Sequence, residues 1–299
     1  MSELSRQEAM EKLVAESATD QLFEKPLGQW RLALRRFRGR RSGMVGLFLI
    51  SALVLVAVFA PLIAPYDPNE DLIGEQDVKR YQEPCIYLLG CPEDQPQHWM
   101  GIDGNVRDYY SRIIFGSRVS LQLGFFTVTL ALVVGSAIGA VAGYLGGWFD
   151  NIVMRFMDVI LGFPSLLLAI AIVAVLGPGL RNALIAIAIV TLPGYARVMR
   201  AQVLAIKESD FVAASQALGA SPIQILVRRV VPNAMTPLVV LATLGVATAI
   251  LEAAGLSFLG LGAQPPLAEW GSMLATYRNQ VFTAPHLVFY PGLAIMITV

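Results

Sequence analysis

The chain has 299 residues, with 22 basic and 22 acidic side chains and no net charge. Apolar residues make up 56% and charged residues 15%, and the mean hydropathy is +0.61, against roughly 45–50% apolar and ~25% charged in soluble domains. That composition excludes an ordinary water-soluble domain, and the zero balance excludes a global field that would recruit nucleic acid.

Residues 1–43 are the polar start, with acids scattered over 3–24. This excludes the short basic n-region of a cleaved signal, so the first apolar run reads as a membrane helix. Just before it, Leu27, Trp30, Leu34 and Phe37 recur at helical spacing among Arg31, Arg35, Arg36 and Arg38. Such a helix suits the membrane interface, with Trp at headgroup depth.

Charge then vanishes in long runs: Ser42–Tyr66, Val119–Phe149, Val159–Leu180, Val230–Leu251 and, more briefly, Ala253–Ala268. A bilayer core ~30 Å thick asks for ~20 such residues per helix. The runs predict an all-α, polytopic bundle of about six spans. The spans are Met44–Ile63, Leu121–Tyr144, a third from Asp158 to Leu176, Ala183–Leu204, Met235–Leu256, and a sixth beginning near Leu287. From there 13 residues remain, too few to cross, so this last helix is expected to continue beyond Val299. The expected domains are a cytoplasmic segment 1–43, a first helix 44–64, an external loop 65–118, and a core 119–299 containing a cytoplasmic loop at about 205–232. Placing the N-terminus inside puts 15 of the 22 basic residues on that side, which predicts a cytoplasmic N-terminus.

Catalytic signatures are absent: no phosphate-binding Gly-rich loop, no Gly-x-Ser-x-Gly, no His-Glu-x-x-His. The two histidines, His98 and His286, are far apart and read as polar interface residues, so no catalytic, cofactor or metal site is expected. Gly135, Gly139 and Gly143 form a doubled small-x3-small face suited to close helix packing. Pro164 and Pro193 should kink the third and fourth spans. Glu252 is the acid that interrupts the last apolar third, where it either faces a cavity or reaches water at a helix end. In the long loop, Ser209 or Asp210 can cap a short helix that Gly219 ends, and Ser221-Pro222 can start another. A loop of this length in a compact bundle is usually functional.

The motif Asp210-Phe211-Val212-Ala213-Ala214, with Ser215, Gly219 and Pro232, resembles the coupling loop (Glu-Ala-Ala-x3-Gly-x9-Ile-x-Leu-Pro) of ABC importer permeases. Here the motif's Glu falls on Ala213, its second Ala on Ser215, its Ile on Arg229 and its Leu on Val231. Further stretches are similar to the dipeptide, oligopeptide and nickel permeases. They are His98-Trp99-Met100-Gly101-Ile102-Asp103, Arg107-Asp108, Ser111-Arg112, Tyr144 through Asp150 to Asp158, Glu252, Leu256 through Pro266, and Glu269-Trp270-Gly271.

The resemblance covers about residues 30–299 and is strongest for the C-type subunit. It implies a type I importer fold in the bacterial inner membrane and no ATPase site in this chain. The implied partners are a homologous B-type permease, two ATPase subunits that bind ATP and Mg, and an external substrate-binding protein, with a peptide as the carried substrate. Residues 209–221 would meet the ATPase, while Asp103, Arg107, Asp108, Glu252 and Trp270 would lie on the binding-protein side. Cys85 and Cys91, on an oxidising external face, are expected to form a small local disulfide. A membrane-embedded enzyme using Glu252 and Asp103 is one alternative, and a channel or secondary transporter is another. The first would need convergent polar groups in the bilayer, and the second inverted repeats or a midplane polar row.

Overall fold

The computed structural model describes residues 41–74, 76–92 and 94–299. The amphipathic stretch expected at 27–37 lies outside these residues. The chain divides after Ala52 into two units, and the bundle described below belongs to the second, Leu53–Val299.

Helix α1 (Arg41–Val58) is followed at Phe59 by the single turn α2 (Ala60–Ile63), which has Pro61 in its first turn. An irregular segment then leads to α3, Tyr109–Leu145. Next come α4 (Gly147–Leu161) and α5 (Ser165–Leu176), then α6 (Leu180–Lys207) with Pro193 inside it. Two short helices follow, α7 (Asp210–Ala217) and α8 (Pro222–Ile225), and a wider π turn carries the chain into α9, Val231–Phe258. The last helices are α10 (Trp270–Tyr277) and α11 (His286–Thr298). Among the described residues, three helical stretches are long and apolar enough to cross a membrane: α3, α6 and Pro222–Phe258. Counting α4 and α5 together as one broken span makes four.

The third predicted span departs from expectation. Helix begins at Gly147, not near Asp158, and α4 meets α5 at 94°. Pro164 is not a mid-span kink, because it precedes the first residue of α5. The charge-free run begins at Val159 because Asp158 ends the polar face of α4. Hydropathy marks the loss of charge but not the change of direction. Val173 and Ala169 of α5 are buried, whereas α4 leaves Trp148, Ile152, Phe156 and Val159 exposed along one side.

The core forms where α3 and α6 press together, joined by α9 and α5. The glycine face is consumed here. A methyl on Gly135 would sit 2.6 Å from the Leu192 carbonyl oxygen, and one on Gly143 3.0 Å from that of Arg200. A methyl on Gly139 would collide with the Ala196 carbonyl. In lipid the hydrophobic effect does not draw helices together, so close backbone approach and dispersion do the work. Around this contact Ala131, Ala186, Ile187, Val190, Met199 and Val203 are sealed from the surface.

Gly194 on α6 has no atom within 4 Å of an added Cβ, which makes it an internal control. Gly139→Val should cost about 3 kcal/mol or more through overpacking and shift the detergent-solubilised protein to aggregate in fluorescence-detected gel filtration. Gly194→Val should elute as the parent does; equal behaviour of the two variants would contradict this account of the core.

Candidate functional site

At one end of the bundle, hereafter the cap end, the chain between α2 and α3 folds over α10 and the start of α11. The carboxylate of Asp103 is fully buried and accepts from the backbone N–H groups of Asn105 (2.7 Å) and Arg107 (2.9 Å) through Oδ1. Its Oδ2 accepts from Arg107 Nε at 2.9 Å and lies 3.5 Å from Arg112 Nε. Arg112 also donates to the carbonyls of Pro68 (2.6 Å) and Pro266 (3.4 Å from Nη2). One buried guanidinium thus ties three separate stretches of chain, a use that suits its planar fork of donors.

Asp108 performs two tasks. Its Oδ2 caps α3 by accepting from the Ser111 N–H (2.7 Å) and hydroxyl (2.6 Å), while Oδ1 lies 2.8 Å from His98 Nδ1. His98 is fully buried, with Nε2 facing the Gln76 amide at 3.1 Å. Trp270 donates its indole N–H to the Ile113 carbonyl at 3.0 Å. Tyr109 donates to the Leu287 carbonyl at 2.5 Å, and the Tyr277 hydroxyl accepts from the Gly104 N–H at 3.3 Å. Burial holds the Tyr277 phenol up at about 12, so it stays protonated. Glu269 caps α10 through the N–H groups of Gly271 (2.9 Å) and Ser272 (2.8 Å). Its carboxyl is nevertheless pushed up, because burial outweighs those bonds.

Asp103, Arg107, Asp108 and Trp270 are therefore internal struts. Each is buried among partners within this chain. Polar residues in a loop ordinarily meet water, but these satisfy one another. Cys85 and Cys91 form a disulfide with Cα atoms 5.3 Å apart, and Cys85 pairs across a short antiparallel bridge with His98.

The opposite end, the loop end, carries the segment between α6 and α9. Asp210, Phe211, Ala213 and Ala214 lie exposed on α7, Ser215 is half-buried and bonds back to the Phe211 carbonyl, and Pro232 is exposed at the start of α9. Val212 is buried and holds α7 to the core. Gly219 follows at φ +81° with open space around it, a backbone region that L side chains avoid. Ser221 caps α8 by accepting from the Gln224 N–H at 3.3 Å. Phe211 and Leu218 point outward, 44% and 88% exposed, so the segment presents apolar groups at a polar end of the molecule.

Two ion pairs beside this segment escaped sequence reading. Arg200 grips Asp150 bidentately, with Nε–Oδ1 at 2.6 Å and Nη2–Oδ2 at 2.5 Å, and Arg197 reaches Asp158 at 2.5 Å. They join α4 to α6 across 50 and 39 residues. The available signal was periodicity: two acids eight apart on one helix, and two arginines three apart on another.

Glu252 belongs to neither end. It lies on α9 six residues short of Phe258, with the Ser165 hydroxyl beside its carboxylate. Among the described residues, no group of three or more His, Cys, Asp or Glu is placed to hold a metal ion.

Residues 135–299 match the family described as "Binding-protein-dependent transport system inner membrane component", and residues 28–84 match "N-terminal TM domain of oligopeptide transport permease C". The chain is 44% identical over 270 residues to the dipeptide transport system permease protein DppC of Alkalihalophilus pseudofirmus, covering 90% of this chain and 84% of that one. It is 41% identical to the glutathione transport system permease protein GsiD of Escherichia coli O157:H7, covering 90% and 85%. Among solved structures, inward-facing conformations of the MetNI methionine ABC transporter share the fold. The TM-score is 0.52 at 20% identity, with 62% of this chain and 89% of that one aligned.

Two measurements test the cap. Asp103→Asn leaves Arg107 and Arg112 without their counter-ion, and breaking such a buried pair costs about 3–5 kcal/mol. The variant should melt earlier and be cut by protease between residues 64 and 108, where the parent resists; unchanged melting would refute the strut role. For Glu269 the folded carboxyl holds its proton to higher pH than the unfolded one. Stability from this group is therefore full below the unfolded range and is lost as pH rises through the folded value. The melting temperature of Glu269→Gln should fall less than that of the parent on raising pH from 4 to 8.

Proposed function

The chain belongs to the family of binding-protein-dependent transport system inner membrane components, as an ABC importer permease of the dipeptide and oligopeptide type, and from that premise we propose how it works. It carries a small peptide across the bacterial plasma membrane. The relatives are named for dipeptides and for glutathione, so the substrate proposed is a short peptide with a free amino group. The N-terminus and the loop end lie in the cytoplasm, where the basic residues concentrate, and the cap end lies outside, where the substrate-binding protein delivers its cargo. A homologous B-type permease completes the conduit. Segment 1–43 is cytoplasmic, 44–64 forms the first span, 65–118 the external segment, and 119–299 the core.

The observation that carries this reading is α7. It is a two-turn helix that exposes Phe211, Ala213 and Ala214, is fastened by Val212, and ends in a glycine turn. We assign it as the segment that seats in a groove of an ATPase subunit, with one such subunit on each permease. ATP and Mg belong to those partners, and closure of the ATPase pair on nucleotide is the power stroke. Asp210, exposed at the first position of α7, stands in for the acid that Ala213 lacks. From α7 the push enters α6, a 28-residue rod with its own proline at 193. The Asp150–Arg200 and Asp158–Arg197 pairs make α4 move with that rod, and the bend between α4 and α5 is the hinge.

Gly219→Trp forces a bulky L side chain into φ +81°. It should reduce ATP-driven peptide uptake by reconstituted transporter at least about tenfold while the permease still reaches the membrane and ATP is still hydrolysed. Full uptake by this variant would sink the assignment, as would failure of the wild-type chain to co-purify with nucleotide-binding subunits.

A further inference from the structure

Glu252 is placed where a carboxylate is expensive. On α9 it lies six residues inside the helix end at Phe258, about 9 Å at 1.5 Å per residue. It stands alone, with no other charged residue from Val230 through Ala268. Intramembrane carboxylates normally find a cation or a wet cavity, yet none of the described ion pairs includes Glu252. Its Oε2 is enclosed and has no hydrogen-bond partner among the described residues. A residue merely reaching water at a helix end would show the opposite: an exposed, hydrated oxygen.

The carboxylate stands next to the Ser165 hydroxyl, at the first residue of α5 after the 94° break, and Gly255 meets Leu166 with an added Cβ 3.7 Å away. Thr248, one turn before Glu252 on the same face of α9, is exposed.

From these observations, and resting on the peptide-import reading above, we infer that Glu252 is a way-station for the ammonium group of the passing peptide. Oε2 accepts one ammonium N–H and the Ser165 oxygen offers a second acceptor. A dipeptide carries one fixed cation at its N-terminus, and a lone carboxylate with an unused acceptor matches it in sign and in hydrogen-bond type. The neighbouring Gly255 and the absence of a protein cation leave the carboxylate free for it. A single charge-assisted bond is strong enough to select the amine and weak enough to release it.

The test separates this site from the binding protein's own selectivity. The assembled permease pair with its ATPases, in nanodiscs without binding protein, is titrated with alanyl-alanine and with its N-acetyl derivative by saturation-transfer NMR. The parent should prefer the free amine about tenfold; Glu252→Gln should lose that preference with N-acetyl binding unchanged, and Glu252→Asp should keep part of it. In proteoliposomes supplied with binding protein, Glu252→Gln should cut alanyl-alanine uptake by a similar factor. Undiminished amine preference in Glu252→Gln overturns the site. So does dissociation of the two permease subunits in that variant, which would identify a cation of the partner permease as the true occupant. A parent complex that takes up no peptide with ATP overturns the importer reading, and this site with it.

Discussion

Everything in this bundle is hung on one contact, the touching backbones of α3 and α6. Lipid does not squeeze helices together as water does, so the seam must be held by dispersion and by closeness. Three glycines spaced four apart allow it, and the nearest atom across the seam from each is a backbone carbonyl oxygen. Once that pair is set, α9 can lay Ile250 against Gly124, and α5 can fill the remaining side with Ala169 and Val173. The two ends are then simply what the long helices carry out of the membrane.

Those ends are built by opposite rules. The cap end buries its charge: Asp103, Arg107, Arg112 and the His98–Asp108 pair are enclosed and paired with one another. Buried pairs of this kind confer definition more than net stability. The loop end buries one acid, Asp150, against Arg200, but keeps its second pair near water. Arg197 and Asp158 are each about half exposed, in a setting where a pair contributes little to stability.

Much of this was legible from residues alone, and the reason is locality. Charge-free runs located α1, α3 and α9, because hydropathy is a property of neighbours in sequence. Ser209, Gly219 and Ser221-Pro222 set out α7 and α8, because caps and turns are decided within four residues. The bend between α4 and α5 was missed because loss of charge at Val159 says nothing about direction. Asp103, Asp108 and Trp270 were recognised as a group, yet their burial was invisible. It depends on partners such as Pro266 and Ile113, more than 150 residues from Arg112 and Trp270 respectively. Glu252 was legible as an oddity, while its neighbour Ser165 came into view only when α5 was seen to start beside it.

The long reach of the cap contacts also bears on how the molecule comes into being. Arg112 waits for Pro266, Gly104 for Tyr277, and Tyr109 for Leu287, separations of 154, 173 and 178 residues. During synthesis the first third of the chain emerges with its arginines and aspartates still hydrated. They cannot be enclosed until α9 has been threaded and the chain has turned back through Pro266 toward α10. The cap end of this protein is therefore among the last parts to close. A chain stalled before residue 266 would hold a formed α3–α6 seam beneath an open and charged mouth.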